Sequence, residues 1–316
     1  MKIKKSIWCM LVLLTLMPLT VLNARAGKCN LNIGVTLHPY YSWVKNIVGD
    51  TAVVTPVIDP GSDPHTYQPM PDDLKHLQGL DVLVVNWIGH DEFIKPMLKA
   101  TDHKNLHIIY TAKGLPLLPA WGQHYSMDGE TNKVVYNSHT YIGITIAIQQ
   151  VQMLARELGK ICPENALLYK KNARIYIKRL RKMLSTALDK LDKLDLNTLR
   201  IATVHDGYAY IFQELGIETA AVVQPRHGIE PSARQLQDTI KRIKRAKVNV
   251  LFAELDYKKK YVDIIYDETG CRIYKLSHIS NGEYSKDFFE QAMQKNLDDI
   301  VQAFTDAAKD QKNKKK

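Results

Sequence analysis

The chain has 316 residues, of which 43 are basic and 33 acidic, so its formal net charge is +10. This length leaves room for two medium-sized domains that each bury a core. The basic residues fall on helix-like segments without the interleaved aromatic or glycine motifs of a nucleic-acid platform. We therefore expect solvated basic faces and no nucleic-acid partner.

The N-terminus has the layout of a cleaved secretory signal. A Lys-rich start precedes an apolar run over residues 7–22 and the small-x-small sequence Ala24-Arg25-Ala26. We predict a signal peptide at residues 1–26 and a periplasmic mature chain, whose net charge is +6 because the signal carries four bases and no acid. An uncleaved anchor and a lipid on Cys29 remain alternatives, although "RAGKC" has lysine where a small residue should precede a modified cysteine. No later segment approaches the roughly 20 apolar residues of a membrane helix.

Three cysteines follow the predicted signal: Cys29, Cys162 and Cys271. Their odd number and the lack of a CxxC spacing indicate neither a structural zinc knot nor a redox motif. One disulfide is compatible with an oxidising compartment. We expect it to involve Cys271, with the partner left open.

The first half of the mature chain alternates β-branched runs with helix-like stretches. Strands are predicted at residues 31–37, 52–59, 81–86 and 106–111, and helical stretches at 40–49 and 71–79. This βαβ rhythm predicts a mostly parallel sheet with helices on its faces.

A helical region begins at residue 141. Residues 141–159 read as a helix closed by Gly159, and a very long helix begins at Pro163. An apolar stripe follows it through Ala166, Tyr169, Ala173, Tyr176, Leu180, Leu184, Leu188 and Leu191. Roughly thirty helical residues span about 45 Å, longer than one small domain needs. We interpret this helix as a rigid strut between two lobes, while two shorter helices or a coiled coil remain open.

The βα rhythm then resumes. Strands are predicted at residues 199–206, 219–225, 248–256 and 271–278, with helices at 207–216, 230–247 and 258–270, the second begun by Glu230 or Ser232. The predicted fold class is α/β, with two lobes that each hold a mostly parallel four-stranded sheet. The predicted boundaries are residues 27–160 for the first lobe, 161–196 for the linker helix, 197–310 for the second lobe and 311–316 for a basic tail.

Histidines lie at or just beyond the ends of several predicted strands: His38, His65, His139, His205 and His278. Open parallel sheets bind ligands outside the carboxyl ends of their strands. Several neutral imidazoles from separate segments suit zinc, whereas sets of carboxylates would indicate manganese or calcium. The sequence contains no HExxH, Walker loop, GxGxxG or GxSxG.

Several blocks resemble one known family. "DPHTYQPMPDDLKHLQGLDVLVVNWIG" resembles the "DPHxYEPxPxD" and "ADLVVxNG" motifs of the metal-binding proteins of bacterial zinc and manganese ABC importers. "NSHTY" stands in the place of that family's "DPHxW", and "HDGYAYIFQELG" is similar to its "HDAFGYFAxxYG". "IEPSARQLQDTIKRIKRAKVNVLFAE" is similar to its "EPSxxxLxxLIxxIKxxxVxxIFxE". The resemblance covers essentially the whole mature chain and implies two lobes that clamp a metal between them.

The resemblance also implies the ligands. The family's first three metal ligands correspond to His65, His139 and His205. Histidine at the third position favours the zinc-binding members of the family over the manganese-binding members. The family's fourth ligand is commonly an aspartate, whose place Ser277 takes, so that His278 or water could complete the shell. His38, His90 and His124 are expected to be ordinary histidines, and Glu254 or Asp256 could support or gate the site.

The sequence therefore predicts a non-catalytic binding protein that captures Zn2+ and delivers it to an ABC permease, and we expect a monomer. One alternative is an exported zinc hydrolase, because three histidines with an open position also hold catalytic zinc. A relative that binds Mn2+ or no metal is the other alternative. A general base beside a ligand is not identifiable, which favours binding over catalysis.

Overall fold

The computed structural model describes residues 29–64, 66–101, 103–121, 135–197, 199–224, 232–255, 258–280 and 282–314. The predicted signal peptide, His65, His124, Glu230 and Asp256 lie outside these residues. Within them, no helix combines the length and the apolar character needed to cross a bilayer.

Two four-stranded parallel sheets form the frame of the molecule. The first has the order β2-β1-β3-β4, from β1 (Leu31–Val35), β2 (Ala52–Pro56), β3 (Val82–Val85) and β4 (His107–Tyr110). The second has the order β6-β5-β7-β8, from β5 (Ile201–His205), β6 (Thr219–Gln224), β7 (Val250–Glu254) and β8 (Arg272–Leu276). The prediction of two such sheets is confirmed, and each has a central strand that is buried along its whole length, β3 in the first and β7 in the second, as is typical of apolar runs in parallel sheets.

In the described part of the chain, eight α-helices pack with the sheets: α1 (His38–Val48), α2 (Ile94–Thr101), α3 (Ile144–Ile161), α4 (Ala166–Leu191), α5 (Ala209–Glu214), α6 (Ala233–Arg245), α7 (Lys259–Thr269) and α8 (Phe288–Lys314). The N-terminus of α6 is capped by Ser232, whose hydroxyl accepts a hydrogen bond from the backbone N–H of Gln235 at 3.3 Å. Residues 71–77 form a 3₁₀ helix, and further 3₁₀ turns lie at Thr140–Ile142, Pro163–Asn165 and Asp206–Tyr208.

Gly159 does not end α3, which continues to Ile161. A Cβ on Gly159 would approach the Cβ of Ala166 to 3.1 Å and its Cα to 3.3 Å. The missing side chain therefore allows α3 and α4 to pack closely, and it does not mark a terminus. The helix that the sequence starts at Pro163 begins as α4 at Ala166, after a 3₁₀ turn, and its 26 residues span about 39 Å.

The long helix α4 lies in the middle of one continuous core. Its predicted apolar stripe is buried at Tyr169, Tyr176 and Leu180, and this core includes inner-face residues of both sheets. Two smaller clusters cover the outer faces, one around Leu83 in the first lobe and one around Leu251 in the second. Both lobes thus share their main core.

A second long helix also joins the lobes. The Phe289 ring of α8 packs edge-on against Trp43 of α1 at 5.1 Å between centroids, and the Arg179 guanidinium of α4 donates to Glu290 at 2.7 and 3.2 Å. No sequence prediction covered this helix, which runs through residues 311–314 of the proposed basic tail. The spacing of Phe289, Met293, Leu297, Ile300 and Phe304 at threes and fours would have indicated it.

The disulfide joins Cys29, just before β1, to Cys162, between α3 and α4. Cys271 carries a free, buried thiol that donates to the carbonyl of Val248 at 3.0 Å. The expectation that Cys271 forms the bridge is therefore wrong, because its partner inside the second lobe is a backbone carbonyl and not a sulfur.

Candidate metal centre

His139 is held by a neighbouring amide. The Oδ1 of Asn137 accepts from the backbone N–H of His139 and from its Nδ1–H, each at 2.9 Å. A neutral imidazole protonated at Nδ1 keeps its lone pair on Nε2. His139 is 5% exposed, so its Nε2 faces the protein interior. This is the usual arrangement of a metal-binding histidine, with one nitrogen anchored and the other available as a ligand.

His205 is the last residue of β5 and meets His139 across the two lobes. The two Nε2 atoms lie 3.1 Å apart, and their rings stand at 83° to each other. His205 is 3% exposed. The carboxyl end of β5 thus places this imidazole at the edge of the sheet, where parallel sheets bind ligands.

His278 approaches from the loop after β8. Its Nδ1 lies 3.0 Å from the Ser280 hydroxyl, and its ring centroid is 4.7 Å from that of His139. Ser277, which takes the place of the family aspartate, is held in its own turn, where its hydroxyl accepts from the N–H of Ile279 at 3.1 Å. Between the two candidates for the fourth position, His278 is thus the one whose side chain lies at the cluster.

One nitrogen each from His139, His205 and His278 lies within 4.8 Å of the others, and all three residues are buried. Ligands of one zinc ion at about 2.1 Å lie roughly 3.4 Å apart in tetrahedral geometry, so small ring movements would bring all three onto one ion. His65 lies outside the described residues, and its placement stays a prediction. The structure therefore brings together the three predicted site histidines that it describes.

Gly207 makes room for this cluster. A Cβ at this position would lie 2.9 Å from Cδ2 of His205 and 2.9 Å from both Cδ2 and Nε2 of His278. Real Cβ contacts do not come so close, so any side chain would displace an imidazole. The absence of a side chain at Gly207 is what allows the rings of His205 and His278 to approach each other.

His90 also borders the cluster. Its ring lies 5.0 Å from that of His139 and 5.6 Å from that of His278, and its Nε2 is 2.8 Å from the Tyr141 hydroxyl. The buried carboxylate of Asp91 shapes this loop by accepting from the backbone N–H groups of Asn86 and Trp87 at 2.7 and 2.9 Å. His90 follows β3 closely, so the strand-end criterion could have included it.

His38, another strand-end histidine, points elsewhere. Its Nε2–H donates to the carbonyl of Gly282 at 2.8 Å, and its ring stacks on Tyr284 at 3.9 Å between centroids. Burial lowers the pKa of His38 to about 4. His38 therefore holds the segment after β8 against the N-terminus of α1.

Hydrogen bonds close the seam between the lobes beside the histidines. The Nδ2 of Asn137 donates to the carbonyl of Asp206 at 2.5 Å, and the N–H of Trp121 donates to the Asp206 carboxylate at 2.7 Å. The Tyr210 hydroxyl donates to the carbonyl of Asn137 at 2.8 Å. Burial raises the pKa of Asp206 to about 6. Asn137 thus orients His139 and also ties its loop to the residue after His205.

Comparison with known proteins assigns the chain to a family. Residues 33–303 match the family described as zinc-uptake complex component A, periplasmic. The chain belongs to this family of metal-binding proteins of ABC importers. The two-lobed arrangement of this structure is the one that the sequence resemblance to the family implies.

Solved structures share the fold across most of the chain. The SBP FpvC of Pseudomonas aeruginosa in complex with Ni2+ is 43% identical, with a TM-score of 0.81 over 88% of this chain and 98% of that chain. The same protein in complex with Mn2+ is 44% identical, again with a TM-score of 0.81 over 88% of this chain, and is covered in full. A crystal structure of ZnuA, 22% identical with a TM-score of 0.72, supports the fold.

Curated relatives carry the names of three metals. The zinc-binding lipoprotein AdcA of Streptococcus pneumoniae is 25% identical over 79% of this chain, and the chain spans only half the length of AdcA. The manganese ABC transporter substrate-binding lipoprotein PsaA of the same species is 24% identical, over 82% of this chain and 84% of PsaA. The iron ABC transporter substrate-binding lipoprotein MtsA of Streptococcus pyogenes is 24% identical over 81% of this chain. Such substrate-binding proteins are not enzymes, and family membership leaves the metal open.

Proposed function

We propose that this protein captures a divalent transition-metal ion between its two lobes and delivers it to the permease of an ABC importer. The observation that carries this proposal is the convergence of His139, His205 and His278 on one buried point at the seam of the lobes. Buried polar side chains in such numbers cost free energy unless they are paired or bind an ion.

We propose His65, His139, His205 and His278 as the ligands. The imidazole nitrogens suit zinc better than Mn2+, because zinc takes nitrogen ligands readily in four-coordinate sites. The Nδ1 contacts of His139 and His278 with Asn137 and Ser280 support ligation through Nε2 at both positions. Mn2+ is the second candidate, because FpvC in complex with Mn2+ is 44% identical to this chain.

The remaining parts of the proposal concern the whole protein. Residues 1–26 act as a signal peptide that sends the chain to the periplasm, where it works as a monomer. The lobes comprise residues 27–160 and 197–310, with residues 161–196 as the linker and residues 311–316 as a terminal tail.

Elemental analysis of the protein purified from the periplasm without chelators tests this function. We expect about one equivalent of metal per chain, predominantly zinc, and a preference for Zn2+ over Mn2+ in competition titrations. A chelator-free protein that contains no transition metal and takes up neither ion would refute the proposal. One equivalent of manganese with weaker zinc binding would retain the importer function but overturn the choice of metal.

A further inference from the structure

A carboxylate lies beside the histidine cluster at the end of the last matching motif, where the sequence predicts a supporting or gating residue and not a ligand. Glu254 is the last residue of β7, which lies between β5 and β8 in the second sheet. Its backbone pairs with Leu276 in β8, two residues before His278, and on the other side Phe252 pairs with Thr203, two residues before His205. The carboxyl ends of three adjacent strands therefore carry His205, Glu254 and the loop of His278 to one edge.

The side chain of Glu254 reaches the face of His278 that points into the cluster. Its Oε1 lies 4.0 Å from Nε2 of His278, whereas Nδ1 of that ring contacts Ser280 on the other side. Glu254 is 3% exposed. A carboxylate buried to this extent is stable in proteins when it is paired with a positive charge or coordinates a metal.

The positive charge of a bound divalent ion also favours an anionic ligand at this buried site. A set of neutral imidazoles leaves the full double positive charge of a bound divalent ion inside the protein, and one carboxylate would halve it. Two ligand atoms on one ion lie roughly 3.0 to 3.4 Å apart, so Oε1 of Glu254 is less than about 1 Å too far from Nε2 of His278. Glu254 stands outside the group of ligand atoms that lie within 4.8 Å of one another, so its coordination requires a rotation about its side-chain bonds toward the ion.

We propose that Glu254 supplies an anionic oxygen ligand of this metal centre in addition to the imidazoles, a negative charge that Ser277, at the place of the family aspartate, cannot provide. This inference rests on the proposed metal-binding function. Oxygen ligands favour harder ions, so the carboxylate extends the range of a histidine site from Zn2+ toward Mn2+. Glu254 is then the residue that sets how strongly the site discriminates between these two ions.

Titration of Glu254→Gln with Zn2+ and Mn2+ tests the proposal. Gln keeps the shape and removes the charge, so we expect Mn2+ affinity to fall at least about 10-fold and Zn2+ affinity to fall less. Glu254→Asp, which keeps the charge, should recover part of the Mn2+ affinity. Glu268→Gln, which removes an exposed carboxylate on α7 that pairs with Lys244, is the matched control and should bind both ions as the wild type does.

The visible spectrum of the Co2+-loaded protein gives a second readout, because it reports the ligands of the ion. We expect the spectrum of Glu254→Gln to differ from that of the wild type and of Glu268→Gln. Wild-type affinities and an unchanged Co2+ spectrum in Glu254→Gln would overturn the proposal alone. Equal losses in the Gln and Asp variants would also overturn it, because shape and not charge would then matter. Failure of the wild type to bind any of the three ions would instead refute the proposed function. Cooperative thermal unfolding of the metal-free variants establishes that each is folded.

Discussion

The Nε2 atoms of His139 and His205 lie 3.1 Å apart, although the two residues belong to different lobes and are 66 positions apart in sequence. The short distance between these two atoms depends on the packing of one lobe against the other. Asn137 contacts His139 through its Oδ1 and the residue after His205 through its Nδ2, and so fixes both sides of the pair. The candidate site therefore depends on the closed seam between the lobes as much as on its ligands.

Asn137→Ala should weaken zinc binding by about 10- to 100-fold, which is the usual cost of removing a group that orients a metal-binding histidine. The physical reason is that His139 loses the acceptor that keeps its proton on Nδ1 and leaves Nε2 available. Isothermal titration calorimetry with Zn2+ measures the effect. Asn172→Ala is the matched control, because the Asn172 amide donates one hydrogen bond, to the carbonyl of Ile47, away from the site. Equal zinc affinity in both variants would show that Asn137 does not position the ligand.

Gly207→Ala should lower metal affinity at least about 10-fold, while overpacking should cost the metal-free protein about 1 to 3 kcal/mol in free energy of unfolding. The new Cβ would meet the rings of His205 and His278, which would have to move apart and would then no longer converge. Zinc titration and chemical unfolding separate the two effects.

Gly159→Ala serves as the opposite control for the Gly207 variant. Its Cβ would press on Ala166 between α3 and α4, so we expect a loss of stability with unchanged zinc affinity in the folded protein. If Gly207→Ala instead kept wild-type affinity, the space beside the histidines would have no functional meaning.

His38 should make the metal-free protein less stable in acid. Its pKa is lowered by burial from 6.5 to about 4, although its hydrogen bond to the carbonyl of Gly282 opposes the shift. The unfolded chain therefore binds more protons than the folded one between pH 6.5 and 4. The free energy of unfolding must fall as the pH falls through that window, by about 3 kcal/mol from this group.

Chemical unfolding at pH 7 and pH 4.5, in the presence of a chelator, measures this contribution of His38. We expect His38→Gln to lose roughly 1 to 3 kcal/mol less than the wild type between the two pH values. His107→Gln, which removes an exposed histidine on β4, should show the wild-type fall. The same fall in His38→Gln as in the wild type would contradict the buried, neutral state of His38.

All eight strands of the described residues were predicted from the sequence, because each is an apolar or β-branched run that ends in turn or polar residues. Position at a strand end is also a local signal, and it identified His205 and His278, whereas His139 precedes the 3₁₀ turn Thr140–Ile142 and was found through its resemblance to the family motif. Other features depend on three-dimensional contacts that no spacing encodes. Gly159 looks like a helix end but serves the packing of α3 on α4, and the bond between Cys29 and Cys162 joins residues 133 positions apart.

The same dependence on three-dimensional contacts explains why the motifs do not mark Glu254 as a metal ligand. Glu254 and His278 are 24 positions apart, and only the order of β7 and β8 in the sheet makes them neighbours. The need for glycine at position 207 likewise follows only from the positions of the His205 and His278 rings, which a Cβ there would contact too closely. Sequence patterns predict which residues stand at the edge of a sheet, and the fold decides which of them meet.

The most direct test of the central claim is a zinc titration of the chelator-treated wild type and of the single variants His139→Ala, His205→Ala and His278→Ala. If these imidazoles share one ion, each variant should lose at least about 100-fold in affinity while the wild type binds one equivalent. His107→Ala, on the exposed face of β4, should bind as the wild type does. Near wild-type affinity in His139→Ala and His205→Ala would contradict an interlobe metal centre.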